Sequence, residues 1–170
     1  MKIMIASDIH GFINYAEKLI DAYKKSGANR LVLLGDILYH GPRNDLAEGY
    51  DPKAVIKLLN SVKNELLCVR GNCDTEVDQM VLEFPVMADY AIMADGDRLL
   101  YFTHGHKYGV LNFPNIKKGD IIVQGHTHVP MCEERDGILC VNPGSVSLPK
   151  CGSDHQCMIY ENNTFTAVKL

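Results

Sequence analysis

Five short stretches of the chain place metal-ligating or acid–base residues in the same kind of position. Ser7-Asp8-Ile9-His10, Gly35-Asp36, Gly71-Asn72, Thr103-His104-Gly105-His106 and Gly125-His126-Thr127-His128 each follow directly on an apolar run. Taken singly, each has an ordinary explanation, because Asp, Asn and Gly are turn formers. Taken together they have one explanation instead of five. Five of the seven histidines fall inside these stretches, and a metal site assembled at strand ends accounts for all of them. His126 and His128 alternate on an extended segment and so point the same way. Imidazole nitrogen combined with carboxylate and amide oxygen suits Mn, Fe, Co, Ni or Zn, whereas Ca and Mg prefer shells of oxygen. The candidates Asp8, His10, Asp36, Asn72, His104, His126 and His128 outnumber what a single ion takes from protein. Two divalent ions sharing a bridging carboxylate fit the count, with Mn the expected metal. A pair about 3.5–4 Å apart is the usual device for in-line attack at phosphorus.

Such residues need strands to deliver them. Lys2–Ala6, Leu31–Leu34, Leu66–Arg70 and Ile121–Gln124 read as buried strands, each an apolar run too short for a helix. Asn14–Ser26 carries Ala16, Leu19, Ile20 and Tyr23 at helical spacing, with Asn14 as the expected N-cap and Gly27 as the stop. A polar loop over Tyr39–Tyr50 precedes a helix that Asp51-Pro52 opens and that runs to about Val62. Three hairpins follow: Tyr90–Ala94 with Arg98–Thr103, Met131–Glu134 with Ile138–Val141, and Gln156–Glu161 with Thr164–Lys169. The first half therefore reads β-α-β-α-β and the second mostly as antiparallel strand. The simplest α/β architecture is two sheets face to face with helices outside. In α/β folds ligands gather at the carboxyl ends of strands, where all five stretches lie. Four of the five junctions contain Gly, which permits close backbone approach.

The remaining composition narrows the setting. A chain of 170 residues suits a single domain over 1–170. The net charge of −4, without a basic stripe, argues against a general nucleic-acid binder. No apolar run is long enough to span a bilayer, and Asp8 arrives too early for a secretory leader. Six cysteines form no C-x-x-C pair and include the apolar-run residues Cys68 and Cys140. They read as reduced, as in a cytoplasmic protein. The segments His40–Tyr50 and Tyr108–Asn115 are expected to frame a pocket, with Arg43, Tyr108 and Phe113 available to an organic phosphate.

The ordered set Asp8-Ile9-His10, Gly35-Asp36, Gly71-Asn72-Cys73-Asp74, His104 and Gly125-His126-Thr127-His128 resembles the signature of the calcineurin-like metallophosphoesterases. Thr103-His104-Gly105-His106 and Asn142-Pro143-Gly144-Ser145 are similar to the small bacterial YfcE-type phosphodiesterase subgroup. The resemblance implies a four-layer α/β/β/α sandwich and a dinuclear phosphodiesterase acting on a small organic phosphodiester through a metal-bridging hydroxide. It implies that Asp8, His10 and His128 hold one ion, that Asn72, His104 and His126 hold the other, and that Asp36 bridges them. It also implies a homo-oligomer, since small members form dimers or tetramers. Many members carry His after the motif Asn, where this chain has Cys73. A thiol is a poorer proton donor to an alkoxide, so the expected substrates are diesters with acidic leaving groups. His106, two residues beyond His104, is the other candidate for an acid or supporting role. The alternative reading is a Vps29-like scaffold that keeps the fold without catalysis. It is expected to have lost ligands, and here every motif position is filled.

Overall fold

A computed structural model describes residues 1–42, 44, 46 and 48–170; Arg43, named above for the pocket, lies outside them. The strands follow the apolar runs: β1 (Lys2–Ala6), β2 (Arg30–Leu33), β3 (Leu66–Cys68), β4 (Tyr90–Asp95), β5 (Arg98–Thr103), β6 (Ile121–Val123), β7 (Met131–Arg135), β8 (Ile138–Asn142), β9 (Gln156–Glu161) and β10 (Thr164–Lys169). They form two five-stranded sheets, ordered β10-β9-β1-β2-β3 and β4-β5-β6-β8-β7.

Strand alternation sends successive side chains to opposite faces, and both faces of each central strand are covered. Ile3 and Ile5 of β1, with Val32 and Leu34 at β2, meet Leu100, Phe102, Ile121, Val123 and Val141 between the sheets. Their neighbours Met4, Ala6, Leu31 and Leu33 face the helices instead. This is why these strands read as unbroken apolar runs. The fourth layer is supplied differently from the first. Over the outer face of the second sheet, Val110, Phe113 and Ile116 of an irregular segment cover Tyr101, Ile122 and Cys140.

Helix α1 (Ile13–Ser26) buries Ala16, Leu19, Ile20 and Tyr23 and ends at Gly27 in the left-handed region, φ 69°. Its N-cap is Phe12 and not Asn14. No capping side chain is involved, because the Ile13 N–H donates across the fold to the Gly49 carbonyl at 2.9 Å. Helix α2 (Pro52–Asn60) is capped by the Asp51 carboxylate, which accepts from the Ala54 N–H, and stops two residues short of Val62. A further short helix, α3 (Glu76–Val81), was not foreseen. The three expected hairpins of the second half form, and it is mostly antiparallel, but two of its pairings are not. β5–β6 and β6–β8 are parallel pairs, and the β9–β10 hairpin leaves its sequence neighbours to pair antiparallel with β1.

Candidate metal centre

The five polar stretches leave the carboxyl ends of β1, β2, β3, β5 and β6 and converge on one rim. Two glycines make the convergence sterically feasible. A Cβ at Gly71 would collide with the Asp36 carboxylate and backbone nitrogen, and one at Gly125 would collide with the Ser7 side chain. The rim backbone is unusual as well. Asp8, His10, Asp36, His126 and His128 all have φ between 50° and 69°. Residues other than glycine rarely adopt this conformation, although Asn, Asp and His tolerate it best. Such strain persists where surrounding contacts over-determine it, typically at functional sites.

Those contacts are specific. The Asp74 carboxylate accepts from the N–H groups of Asp36, Ile37 and Gly71 at 2.8, 2.9 and 2.7 Å. It thereby locks the turns after β2 and β3 together. The Asp8 Oδ2 accepts from the His126 N–H at 3.1 Å, and Asp36 Oδ1 from the Cys73 N–H at 2.9 Å. The Asn142–Ser145 segment ties down the rest: Asn142 Nδ2 donates to the Gly125 carbonyl at 2.8 Å, and Ser145 Oγ donates to the Asp8 carbonyl at 2.9 Å.

Three imidazoles are oriented by backbone carbonyls. The Nδ1 atoms of His10, His104 and His128 lie 2.7, 2.7 and 2.6 Å from the carbonyls of Tyr39, Leu34 and Leu148. In a neutral ring each of these bonds takes the proton on Nδ1 and leaves the Nε2 lone pair facing the centre, ready for a metal ion in place of a second proton. His10 Nε2 and His128 Nε2 face each other at 3.3 Å. They stand 3.6 and 3.2 Å from Asp8 Oδ1, a buried oxygen with no hydrogen-bond partner. Asp36 Oδ2 lies 3.7 Å from His10 Nε2 on one side and 3.4 Å from His104 Nε2 on the other. His104 Nε2 is in turn 3.0 Å from Asn72 Oδ1. Lone pairs converging on one another with an orphaned carboxylate oxygen among them are a donor set arranged for cations, and the residues fit bound metal.

The electrostatics point the same way. Burial alone would lower the His104 pKa, but the Asp36 hydrogen bond and the Asp8 and Asp36 charges outweigh it and raise it to about 9. Asp8, despite burial that opposes ionisation, is held well below the ordinary carboxylate range by His10 and His128. Asp36 is lowered against its burial by His104. The site draws positive charge, whether proton or metal ion.

The other predicted residues take distinct places. The His126 ring sits 5.1 Å from that of His104, centroid to centroid, and walls the cavity. Cys73 lies beside Asp36, with its sulfur accepting from Asn72 Nδ2 at 3.3 Å. Burial and the Asp36 charge push the thiol up to about 12. The His106 ring is 5.4 Å from that of His104 and lines an adjoining cavity, not the one over the candidate donors. Burial and the neighbouring His104 and His126 lower its pKa. The cavity over the donors, about 590 Å³, is also lined by Tyr39, Asn44, Thr75 and Lys150. Lys150 had no motif to reveal it. Tyr108 and Phe113 line neither this cavity nor its neighbour: the Phe113 side chain packs against the outer sheet face.

The model of the calcineurin-like phosphoesterase superfamily domain matches residues 1–164. The chain belongs to this superfamily of metal-dependent phosphoesterases. It is 45% identical over 170 residues to phosphodiesterase YfcE of Escherichia coli strain K12, covering all of this chain and 92% of the relative. The solved structure of YfcE, a phosphoesterase from E. coli, superposes with a TM-score of 0.96 over 99% of this chain and 93% of that one. Phosphodiesterase MJ0936 of Methanocaldococcus jannaschii is 28% identical over 85% of this chain and 83% of its own. Vps29 from Chaetomium thermophilum shares the fold, with a TM-score of 0.63 at 16% identity over 99% of this chain and 95% of that one. Among the described residues no helix is long and apolar enough to cross a membrane.

Proposed function

We propose that this phosphoesterase is a dinuclear phosphodiesterase of the cytoplasm acting on a small-molecule diester. Asp8, His10 and His128 would hold one divalent ion, Asn72, His104 and His126 the other, and Asp36 would lie between them, with Mn the foremost metal and Fe, Zn, Co or Ni as substitutes. The observation that carries this reading is the position of Asp36 Oδ2 within 3.4 Å of His104 Nε2 and 3.7 Å of His10 Nε2, with each imidazole belonging to a different donor group. Bound metal of this kind supplies an activated water and neutralises charge on phosphoryl oxygens.

The protein's own residues shape what reaches that centre. The carbonyl-anchored imidazoles keep their lone pairs aimed without reorganisation. Lys150 and Asn44 on the cavity wall offer donors to the non-bridging phosphoryl oxygens. Cys73 fixes the Asn72 amide so that Oδ1 faces inward. With its thiol pushed up to about 12, Cys73 holds its proton too tightly for efficient transfer to a leaving alkoxide. Diesters that release an acidic alcohol should therefore be favoured. The scaffold alternative is less well supported: the YfcE and MJ0936 relatives are named phosphodiesterases, and every motif donor is present.

The test is turnover of an aryl phosphodiester by chelated and Mn-reconstituted protein. Chelation should abolish hydrolysis and Mn should restore it. Full activity in metal-free protein would overturn the reading.

A further inference from the structure

A second cavity of about 580 Å³ adjoins the metal centre and shares His126 as a common wall. Its lining differs in kind. Val110, Leu111, Val129, Pro130 and Met131 supply much of the surface. Of the polar groups among them, His106 Nδ1 is buried without a partner, whereas Gln124 and Asn142 are already engaged. Gln124 Oε1 accepts from the Val110 N–H at 2.8 Å. Asn142 Nδ2 donates to the Gly125 carbonyl and to Thr127 Oγ1 at 2.8 and 3.0 Å. At the margin, Lys107 pairs with Asp89 at 2.8 Å and Arg135 pairs with Glu133. Beyond a single bond to His106 Nδ1, an occupant would find little hydrogen bonding to gain here, but it would find apolar area to bury. Leu111, 94% exposed at this cavity, contributes nothing to the core, and its area becomes useful only against something bound.

Position decides what that something is. A phosphodiester with phosphorus at the metal centre carries two ester arms: one can lie in the polar cavity of Tyr39, Asn44 and Lys150, and the shared His126 wall puts the apolar cavity within reach of the other. We infer that the second cavity receives one ester arm of the substrate, and that this arm is apolar or aromatic. The inference rests on the phosphodiesterase reading and adds the substrate class: diesters with one lipophilic substituent of roughly one or two rings, a size suited to a cavity in the range of small-molecule sites. Hydrolysis adds water across one P–O bond and releases an alcohol and a monoester, so the arm departs with whichever product retains it. His106, which lines this cavity and not the metal-centre one, would touch the arm and not the phosphorus.

The experiment measures binding separately from turnover. Zn-loaded protein labelled at its methionine methyl groups is titrated with non-hydrolysable diester analogues, methylphosphinates whose second arm, joined through a P–C bond, is methyl, butyl, phenyl or naphthyl, with Met131 assigned from Met131→Leu. Burial of the larger arm should tighten binding by about 30-fold from methyl to naphthyl, with the Met131 signal moving only for the larger arms. Leu111→Glu should shrink that ratio to about threefold or less. Affinity independent of the arm, with Met131 unmoved, would overturn the inference. So would a Met131 signal that tracks protein concentration and ignores the analogue, because a second copy would then fill the cavity. Failure of the parent reading looks different: no diester is hydrolysed by the metal-loaded enzyme, whatever Met131 reports.

Discussion

Among the described residues, left-handed backbone outside glycine occurs chiefly in two regions, and the two use it differently. At the hairpin turns, Asp136 and the pair Asn162-Asn163 have φ of 53°, 50° and 63°. They are exposed, and a two-residue turn of this hand matches the strand twist and favours Asn and Asp. At the strand-end rim, Asp8, His10, Asp36, His126 and His128 adopt the same conformation, but four of the five are buried and each is restrained by a named hydrogen bond. In the hairpins the conformation makes a turn, and only Asn163 also uses its side chain, accepting from the Tyr160 hydroxyl at 3.1 Å. At the rim the side chain is the purpose, and the backbone is held in an uncommon state to aim it. The difference teaches that strain by itself does not mark a site. Strain together with burial and imposed orientation does.

Substitutions at the two regions should therefore diverge, and the largest effect belongs at the rim. Asp36→Ala removes the carboxylate between the two donor groups. Diester turnover should fall by more than about 10³-fold, against roughly 10–100-fold for His106→Ala, whose ring packs beside the donors His104 and His126 without lining the cavity over them. Equal losses with metal retained in both variants would break the distinction. An intermediate effect is expected at Asp74, which supports the rim without facing the cavity. Asp74→Ala leaves three buried N–H groups without their acceptor, a cost of about 3 kcal/mol, or a fall in Tm on the order of 10 °C. Thermal unfolding of metal-free protein measures it free of any ligand effect. The smallest change is expected at the hairpin: Asn162→Gly should leave stability within about 0.5 kcal/mol and turnover unaltered. A large loss there would mean that the turns and the rim are not energetically separate.

Much of this was legible in the chain because burial and chemistry alternate sharply along it. An apolar run buried on both faces followed at once by Asp-Ile-His or Gly-His-Thr-His announces a strand and what stands at its end. What was not legible depends on partners distant in sequence. Nothing local to Gln156–Lys169 says that this hairpin joins β1 instead of the hairpins before it. The carbonyls of Tyr39, Leu34 and Leu148 that orient the imidazoles have no side-chain signature. α3 escaped because it is six residues long and exposes Val77 and Met80, which leaves no buried stripe to detect. Its one signal was local: Thr75 and Asp78 form a capping box. Asp74 was legible as part of a motif, but its role as a backbone clamp was not.

The central claim is that one carboxylate, Asp36, holds two ions in a single bridged site. The most direct test is electron paramagnetic resonance of metal-free protein titrated with Mn, with bound metal counted independently. The account predicts two Mn per chain and a spectrum of two exchange-coupled ions, with the coupling lost in Asp36→Ala. Saturation at one Mn per chain, with diester hydrolysis at full rate, would contradict it.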